Sequence, residues 1–427
     1  MTKTAAEAVA EADTWLKENP LAGSRRSWLE KLVDSGWAAP SWPKEWFGRG
    51  LEPEVARATD AVFREARFDD SSDPDTIRKD SVFGGDAPQG WGQDVVNLWA
   101  ATIVSHASDE LKSEILRDLL TGNLSMCLLY SEPGAGSDLA AIRTSAVRDG
   151  DEWIINGQKV WTSGGRNADY ALLITRTDLD QPKHRGISFF FFPMKQPGVE
   201  VRPLRQATGD ARFNEVFITN ARVPAANMLG QLNEGWRVLT SALAYERAAM
   251  GATQRRSPNA RSTAQTRDAT SEAPAPVPDL ALLELARERG RSQELTIRQD
   301  LMRLYAWRTL NEWNNRRAKA AIEQGTTTPI VSLGKLAMSR MLHFAGSLQV
   351  QILGPEGMLA GGSSAEAGDA TYAMLNAFFT SIGGGTDQIQ RNIIGERILG
   401  LPKEPEADKG VPFREVVTGK GPHVAAV

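Results

Sequence analysis

Residues 129–165 read LYSEPGAGSDLAAIRTSAVRDGDEWIINGQKVWTSGG and set two kinds of signal side by side. Ser131-Glu132-Pro133-Gly134-Ala135-Gly136-Ser137-Asp138 is so dense in Gly, Pro and short polar residues that backbone N–H groups are left facing outward. Such a loop suits an anion or the polar edge of a cofactor, because glycine lets a ligand approach the main chain. Next, Glu152–Ile155 and Gln158–Trp161 flank Asn156-Gly157, a dipeptide that predicts a tight hairpin turn. That hairpin would deliver Trp161-Thr162-Ser163 to the side of the glycine-rich loop.

Working outward, the composition sets the class. The 427 residues suffice for two or three domains, each with its own core. Charged residues at 24% and apolar residues at 41% are ordinary for a soluble globular chain, and a net charge of -4 gives no reason to expect a nucleic-acid partner. The single Cys127 excludes an internal disulfide and a cysteine-cluster metal site. His106, His184, His343 and His423 are too scattered to suggest a metal centre, so none is expected. The first residues, MTKTAAEAVAEADTWL, carry acids and lack an unbroken apolar run, unlike a secretory signal. The longest apolar cluster, Ile187 to Met194, has the length of a strand and cannot span a bilayer. The expectation is a cytoplasmic protein without membrane segments.

The chain divides into three patterns and a tail. Residues 1–125 read as a helical domain, with helices over Ala5–Lys17, Ser27–Ser35, 51–68 and 93–121 and a polar loop over Asp69–Gly92. Residues 126–232 read as strands, among them Ala171–Ile174, Ile187–Phe192, Val199–Val201 and Phe213–Ile218. These predict an antiparallel β-barrel or sandwich. Residues 233–405 are helical again, with segments Leu280–Arg289, Ile297–Glu323, Ile330–Leu353 and Ala365–Thr380 that suit a four-helix bundle. Within them, 252–279 is rich in Ser, Thr, Ala, Arg and Pro and reads as a flexible insertion, and 406–427 reads as a C-terminal tail. The fold class is therefore α+β and multidomain.

Glu132–Asp138 (EPGAGSD), Asn156–Lys159 (NGQK) and Trp161–Gly165 (WTSGG), in that order, closely resemble the acyl-CoA dehydrogenases, which are FAD-dependent flavoproteins. The ending NIIGERILGLP and the Gly383–Gly385 stretch resemble actinobacterial-type members, some of which take branched or steroid side-chain acyl-CoAs. The resemblance implies α,β-dehydrogenation of an acyl-CoA thioester: a base removes the α-proton while a β-hydride passes to flavin N5. It also implies an electron-transfer flavoprotein as acceptor, and a homodimer, homotetramer or hetero-oligomer with a related subunit. In the family the N-terminal half helps cover the acyl pocket, which makes the Asp69–Gly92 loop a contributor to substrate choice.

By resemblance, Leu128, Tyr130, Ser131, Gly136 and Ser137 contact the isoalloxazine and pyrophosphate region. Trp161 and Ser163 close on the ring, and Ser137 also lies near the CoA thioester. Gln351 and Gly354 in QILGPEG, with Thr386 and Gln388 in GGGTDQIQR, match residues that hold the adenine half of FAD. Taken alone, QILG also reads as a helix end with a glycine cap. Many members carry a catalytic Glu where this chain has Gly384. A subset carries it on the helix that opens the C-terminal section, where this chain has Glu246. Spacing supports Glu246 independently: Trp236, Leu239, Leu243, Glu246 and Met250 fall on one helical stripe. The alternative is a structural pair with a nearby arginine. The Gly384 backbone N–H keeps its place as donor to the thioester oxygen. Arg247 follows the base and serves either the active-site glycine loop or a surface ion pair. The Arg-x-x-Phe-Gly of other members is missing around Ala286–Arg291, where one of several arginines takes its place. Two other readings stand beside the dehydrogenase: a partner-dependent or half-site subunit of a hetero-oligomer, and an acyl-CoA oxidase or related flavin monooxygenase.

Overall fold

The computed structural model describes residues 3–20, 25–65, 95–253, 280–323, 330–359, 364–406 and 408–416. The Asp69–Gly92 loop lies outside the described residues, as do the 252–279 insertion from 254 onward and 417–427 of the tail. Two compact units form. One takes in Met1–Leu204, Ala211–Thr253 and Asp408–Val427, the other Arg205–Asp210 and Gln254–Ala407.

In the first unit α1 (Ala5–Glu18) starts in a capping box, with Thr4 and Glu7 satisfying each other's backbone N–H groups. Then α2 (Arg25–Asp34) buries Trp28, Leu29, Leu32 and Val33, the face its spacing predicts. After α3 (Pro53–Glu65) come a π-helical turn, Val95–Ala100, and α4 (Ala101–His106). A Ser108 cap opens α5 (Asp109–Leu120), which buries Leu111, Ile115, Leu116, Leu119 and Leu120.

The strands that follow are β1 (Met126–Leu129), β2 (Ser145–Asp149), β3 (Glu152–Ser163), β4 (Tyr170–Arg176), β5 (Ile187–Pro193), β6 (Val199–Leu204) and β7 (Phe213–Pro224). They form one curled half-barrel sheet in the order β1-β4-β2-β3-β7-β6, with β5 on the other side of β4. The expectation of an antiparallel sheet fails at two pairs. β1 runs parallel to β4, and β2 meets β4 in parallel at Ser145 and Arg176. The chain between β1 and β4 is long enough to return to the same end of the sheet, which a tight hairpin cannot do.

Both faces of β4 and β5 are covered, which explains their unbroken apolar sequence. Leu172, Ile174, Phe189 and Phe191 pack with the N-terminal helices, whereas Leu173, Phe190 and Phe192 face a second core with Trp153 and Val216. Each buried phenylalanine is worth about 1.5–3 kcal/mol.

The Asn156-Gly157 turn is also corrected. The strand β3 runs straight through it, and the β2–β3 turn falls at Gly150-Asp151 instead. A register shift against β7 marks a bulge there, and a Cβ on Gly157 would lie 2.4 Å from Thr144 Oγ1. Glycine is needed for close backbone approach, not for reversal.

The first unit is completed by α6 (Gly235–Thr253), which packs on β5 and α4 through buried Val238, Leu239 and Ala242. The second unit contains α7 (Leu280–Glu288), α8 (Leu295–Glu323), α9 (Ile330–Leu353), α10 (Ala365–Ile382) and α11 (Asp387–Ile393). Here α9 lies against both α8 and α10, and a core of Ala286, Ile297, Leu301, Leu304, Met341, Leu348 and Ile352 joins α7, α8 and α9. Among the described residues no helix is long and apolar enough to cross a membrane, and no His, Cys, Asp and Glu group could hold a metal.

Candidate cofactor and active site

The glycine-rich loop leaves β1 at Tyr130, whose ring meets Phe189 edge-on at 5.8 Å. Half-buried Leu128 precedes it on β1. Glu132 anchors the start of the loop. Its carboxylate accepts the backbone N–H groups of Arg143 at 2.7 Å and Thr144 at 2.9 Å, and the Lys159 ammonium at 2.8 Å. Lys159 also donates to the Tyr130 carbonyl at 3.1 Å. The lysine side chain is 0% exposed and the glutamate 8%. Burial alone would raise the Glu132 pKa, but the Lys159 charge and these hydrogen bonds together hold it below the usual carboxylate range. Sequence reasoning passed over this pair. Both residues stand inside the quoted motifs, and the available signal was a pair of opposite charges, one in each.

A bond from Val160 N–H to the Ser131 carbonyl, 2.9 Å, fixes the loop to β3, and Glu132 and Ala135 exchange backbone bonds across the first turn. Beyond Ala135 the loop opens. Gly136, Ser137 and Asp138 are exposed, and the N–H groups of Gly136 and Ser137 bond to no described residue. A Cβ on Gly134 or Gly136 would meet nothing within 4 Å. Beside the loop, a register shift between Lys159 and Thr162 turns the strand, and Trp161 takes φ 63° with its indole 60% exposed. The bulged strand therefore holds a flat aromatic outward while Thr162 beside it is buried and Ser163 half-buried. An exposed ring on the strand to which the loop is bonded, with unbonded N–H groups further along that loop, fits a cofactor with a flat ring and an anionic part. Cys127, beneath, is buried and its thiol is pushed well up by desolvation, so it takes no nucleophilic part.

In the second unit Gly354, at φ 62°, ends α9. The Arg291 guanidinium donates to the carbonyls of Gln351 and Ile352, and Arg289 pairs with Glu356. Both arginines are thus bonded to the QILGPEG segment of their own unit. The turn after α10 needs glycine, with φ 67° at Gly384 and 89° at Gly385. Thr386 caps α11 by accepting the Ile389 N–H at 3.2 Å, Gln388 is exposed, and the Gly384 N–H bonds to no described residue.

A polar chain pins the two ends of this turn to α9. Buried Ser339 lies 2.9 Å from Asp387 and 3.0 Å from Ser381, and Ser381 lies 2.6 Å from His343 Nε2. Hydrogen counting fixes the direction. The carboxylate can only accept, so Ser339 donates to Asp387, Ser381 to Ser339, and His343 Nε2–H to Ser381. Ser339→Ala leaves both ends short of a buried partner, and a loss of about 1–3 kcal/mol is expected in urea unfolding. An unchanged midpoint would show that the chain of bonds contributes nothing.

On α6, Trp236, Leu239 and Leu243 pack inward, and Glu246 is the next position in that register. The side chains of Glu246 and Arg247 lie outside the described residues. The predicted site residues therefore gather in two groups. Leu128, Tyr130, Ser131, Gly136, Ser137, Trp161 and Ser163 stand around one loop of the first unit, and Gln351, Gly354, Gly384, Thr386 and Gln388 belong to the second.

With helical regions before and after the half-barrel sheet in chain order and a glycine-rich loop, the chain matches two family models. Residues 127–221 match the acyl-CoA dehydrogenase middle domain and 233–399 the acyl-CoA dehydrogenase C-terminal domain. The chain belongs to the acyl-CoA dehydrogenase family: it is a flavoprotein oxidoreductase acting on the CH–CH bond of an acyl-CoA. It is 31% identical over 392 residues to the acyl-CoA dehydrogenase IpdE1 of Mycobacterium tuberculosis, covering 91% of each chain. Among solved structures it resembles the Tcur3481-Tcur3483 steroid ACAD (TM-score 0.66, 26% identity, 94% of this chain and 98% of that one). It also resembles the ChsE4-ChsE5 complex from Mycobacterium tuberculosis (TM-score 0.64, 26% identity, 95% and 99%).

Proposed function

We propose that the flavin is FAD, and that Glu246 is the base that takes the α-proton of the acyl-CoA. The loop residues Ser131, Gly136 and Ser137, with Leu128, Tyr130, Trp161 and Ser163, hold the ring and pyrophosphate, and Ser137 also faces the thioester. Gln351, Gly354, Thr386 and Gln388 serve the adenine half, which this family holds across a subunit interface. When bound, the flavin accepts the β-hydride at N5. The Gly384 N–H donates to the thioester oxygen, where negative charge gathers as the α-proton leaves. Arg247, next after the base in the chain, is assigned to the same site by the family resemblance. The observation that carries this reading is the exposed Trp161 on the strand bonded to the loop, together with the exposed, unbonded N–H groups of Gly136 and Ser137 in that loop.

The finer architecture belongs to the same proposal: a β-barrel domain over 126–232 and a four-helix bundle over 233–405. So do a cytoplasmic location and an electron-transfer flavoprotein as acceptor. The steroid ACAD neighbour supports a bulky substrate, branched or bearing a steroid side chain.

A second reading, a partner-dependent subunit, is favoured by the missing Arg-x-x-Phe-Gly and by the engagement of Arg289 and Arg291 with their own unit. The visible spectrum of the purified protein, alone and then anaerobically with a panel of acyl-CoAs, separates the two. Bound flavin bleached by one thioester is the expected result. Absence of flavin, restored by a co-expressed related chain, would replace the first reading with the second.

A further inference from the structure

The start of the cofactor loop is held by Glu132 and Lys159, but its far end is held from elsewhere in the chain. The Lys183 ammonium, 14% exposed, lies 3.1 Å from Asp138 and 2.8 Å from Asp408. Just after Asp138, the Ala140 carbonyl accepts from Arg176 Nη2 at 2.6 Å, and Arg176 Nη1 donates to the Lys183 carbonyl at 2.9 Å. Arg176 is 3% exposed, and what covers it is the Phe413 ring, 3.8 Å from the guanidinium carbon and itself 6% exposed. The segment around Phe413 is docked along the turn between β4 and β5. Phe413 N–H donates to the Gln181 carbonyl at 2.9 Å, Arg414 N–H to the Leu179 carbonyl at 3.0 Å, and Arg414 pairs with Asp180. Residues 408–416 thus close over two cations that are joined to each other and also hold Asp138 and Ala140, where the loop ends.

We propose that residues 408–416 are a positioning element for the cofactor loop. Phe413 seals Arg176, Asp408 shares Lys183 with Asp138, and together they hold the loop end so that the Gly136 and Ser137 N–H groups face the cofactor. The inference rests on the reading of this loop as the flavin site. It assigns Phe413, Asp408, Arg176 and Lys183 a role in cofactor affinity, without contact to the reacting atoms.

The test uses full-length protein. Flavin-free Phe413→Ala and Asp408→Asn variants are titrated with FAD, following flavin fluorescence, beside Trp161→Ala, which alters the site itself. FAD binding is expected to weaken about 10-fold or more in Phe413→Ala, less in Asp408→Asn, with recovery in Phe413→Tyr. Amide hydrogen exchange across 131–140 is expected to quicken in Phe413→Ala before any FAD is added. If Trp161→Ala weakens FAD binding while Phe413→Ala and Asp408→Asn bind like the parent, the positioning role is overturned and the flavin site stands. If Trp161→Ala binds FAD like the parent, the site reading fails and takes the proposal with it. Should Phe413→Ala not fold, Asp408→Asn and Lys183→Gln decide by the same titration.

Discussion

Glu246→Gln is expected to lower turnover by about 10²- to 10⁴-fold, the usual contribution of a positioned general base. Flavin binding and the oxidised spectrum should stay as in the parent. The substitution keeps size and hydrogen bonding and removes only the ability to take a proton. The expectation rests on position. On α6, Trp236, Leu239 and Leu243 face the core, and Glu246 follows one turn later in that register. At the other position that the family resemblance offers for a base stands Gly384, which has no side chain to ionise. Anaerobic stopped-flow with the thioester that bleaches the flavin reads the step directly. Bleaching at near the parental rate would remove Glu246 from the mechanism. A fall in rate accompanied by loss of flavin would instead point to a structural acid.

The largest effect on stability is expected from Lys159→Met. Removing the ammonium leaves the Glu132 carboxylate buried, with the Arg143 and Thr144 N–H groups as its remaining hydrogen-bond donors. Breaking a buried pair from one side costs about 3–5 kcal/mol, whereas replacing both partners with apolar groups of similar volume is often neutral. The double variant Lys159→Met, Glu132→Leu should therefore recover much of the loss in urea unfolding. A single variant as stable as the parent would show that the pair carries no net stabilisation. The pH dependence has a definite sign. Glu132 sits below its ordinary pKa in the fold, so its contribution is complete above the unfolded carboxylate range. It is lost as the pH falls through the lowered folded value. The double variant should lack that acid-sensitive component.

Much of the fold was legible in the sequence because local patterns and burial agree. The runs in β4 and β5 are continuous because both faces are covered, and α2 follows helical spacing because one face is. The Asn156-Gly157 signal misled because glycine serves a tight turn and a close backbone approach equally well. What distinguishes them is Thr144, on another segment. The parallel pairing of β1 with β4 has no local signature for the same reason. At the site, the outward loop and Trp161 could be read from the motifs. The residues that hold them could not. Glu132 with Lys159, Ser339 with Asp387, and Arg176 with Phe413 are partners only once the chain has folded. Their letters alone carry charge or ring, without a partner's address.

The docking of residues 408–416 on the first unit also bears on biosynthesis. A ribosome has made every helix of the second unit before Asp408 emerges. Both residues of the Glu132–Lys159 anchor at the cofactor loop's start are made long before Asp408. At its far end, the cover over Arg176 arrives only with Phe413. A nascent chain released short of Asp408 would carry the sheet and the Lys183–Asp138 and Arg176–Ala140 contacts, but neither the ring that covers Arg176 nor the second carboxylate on Lys183.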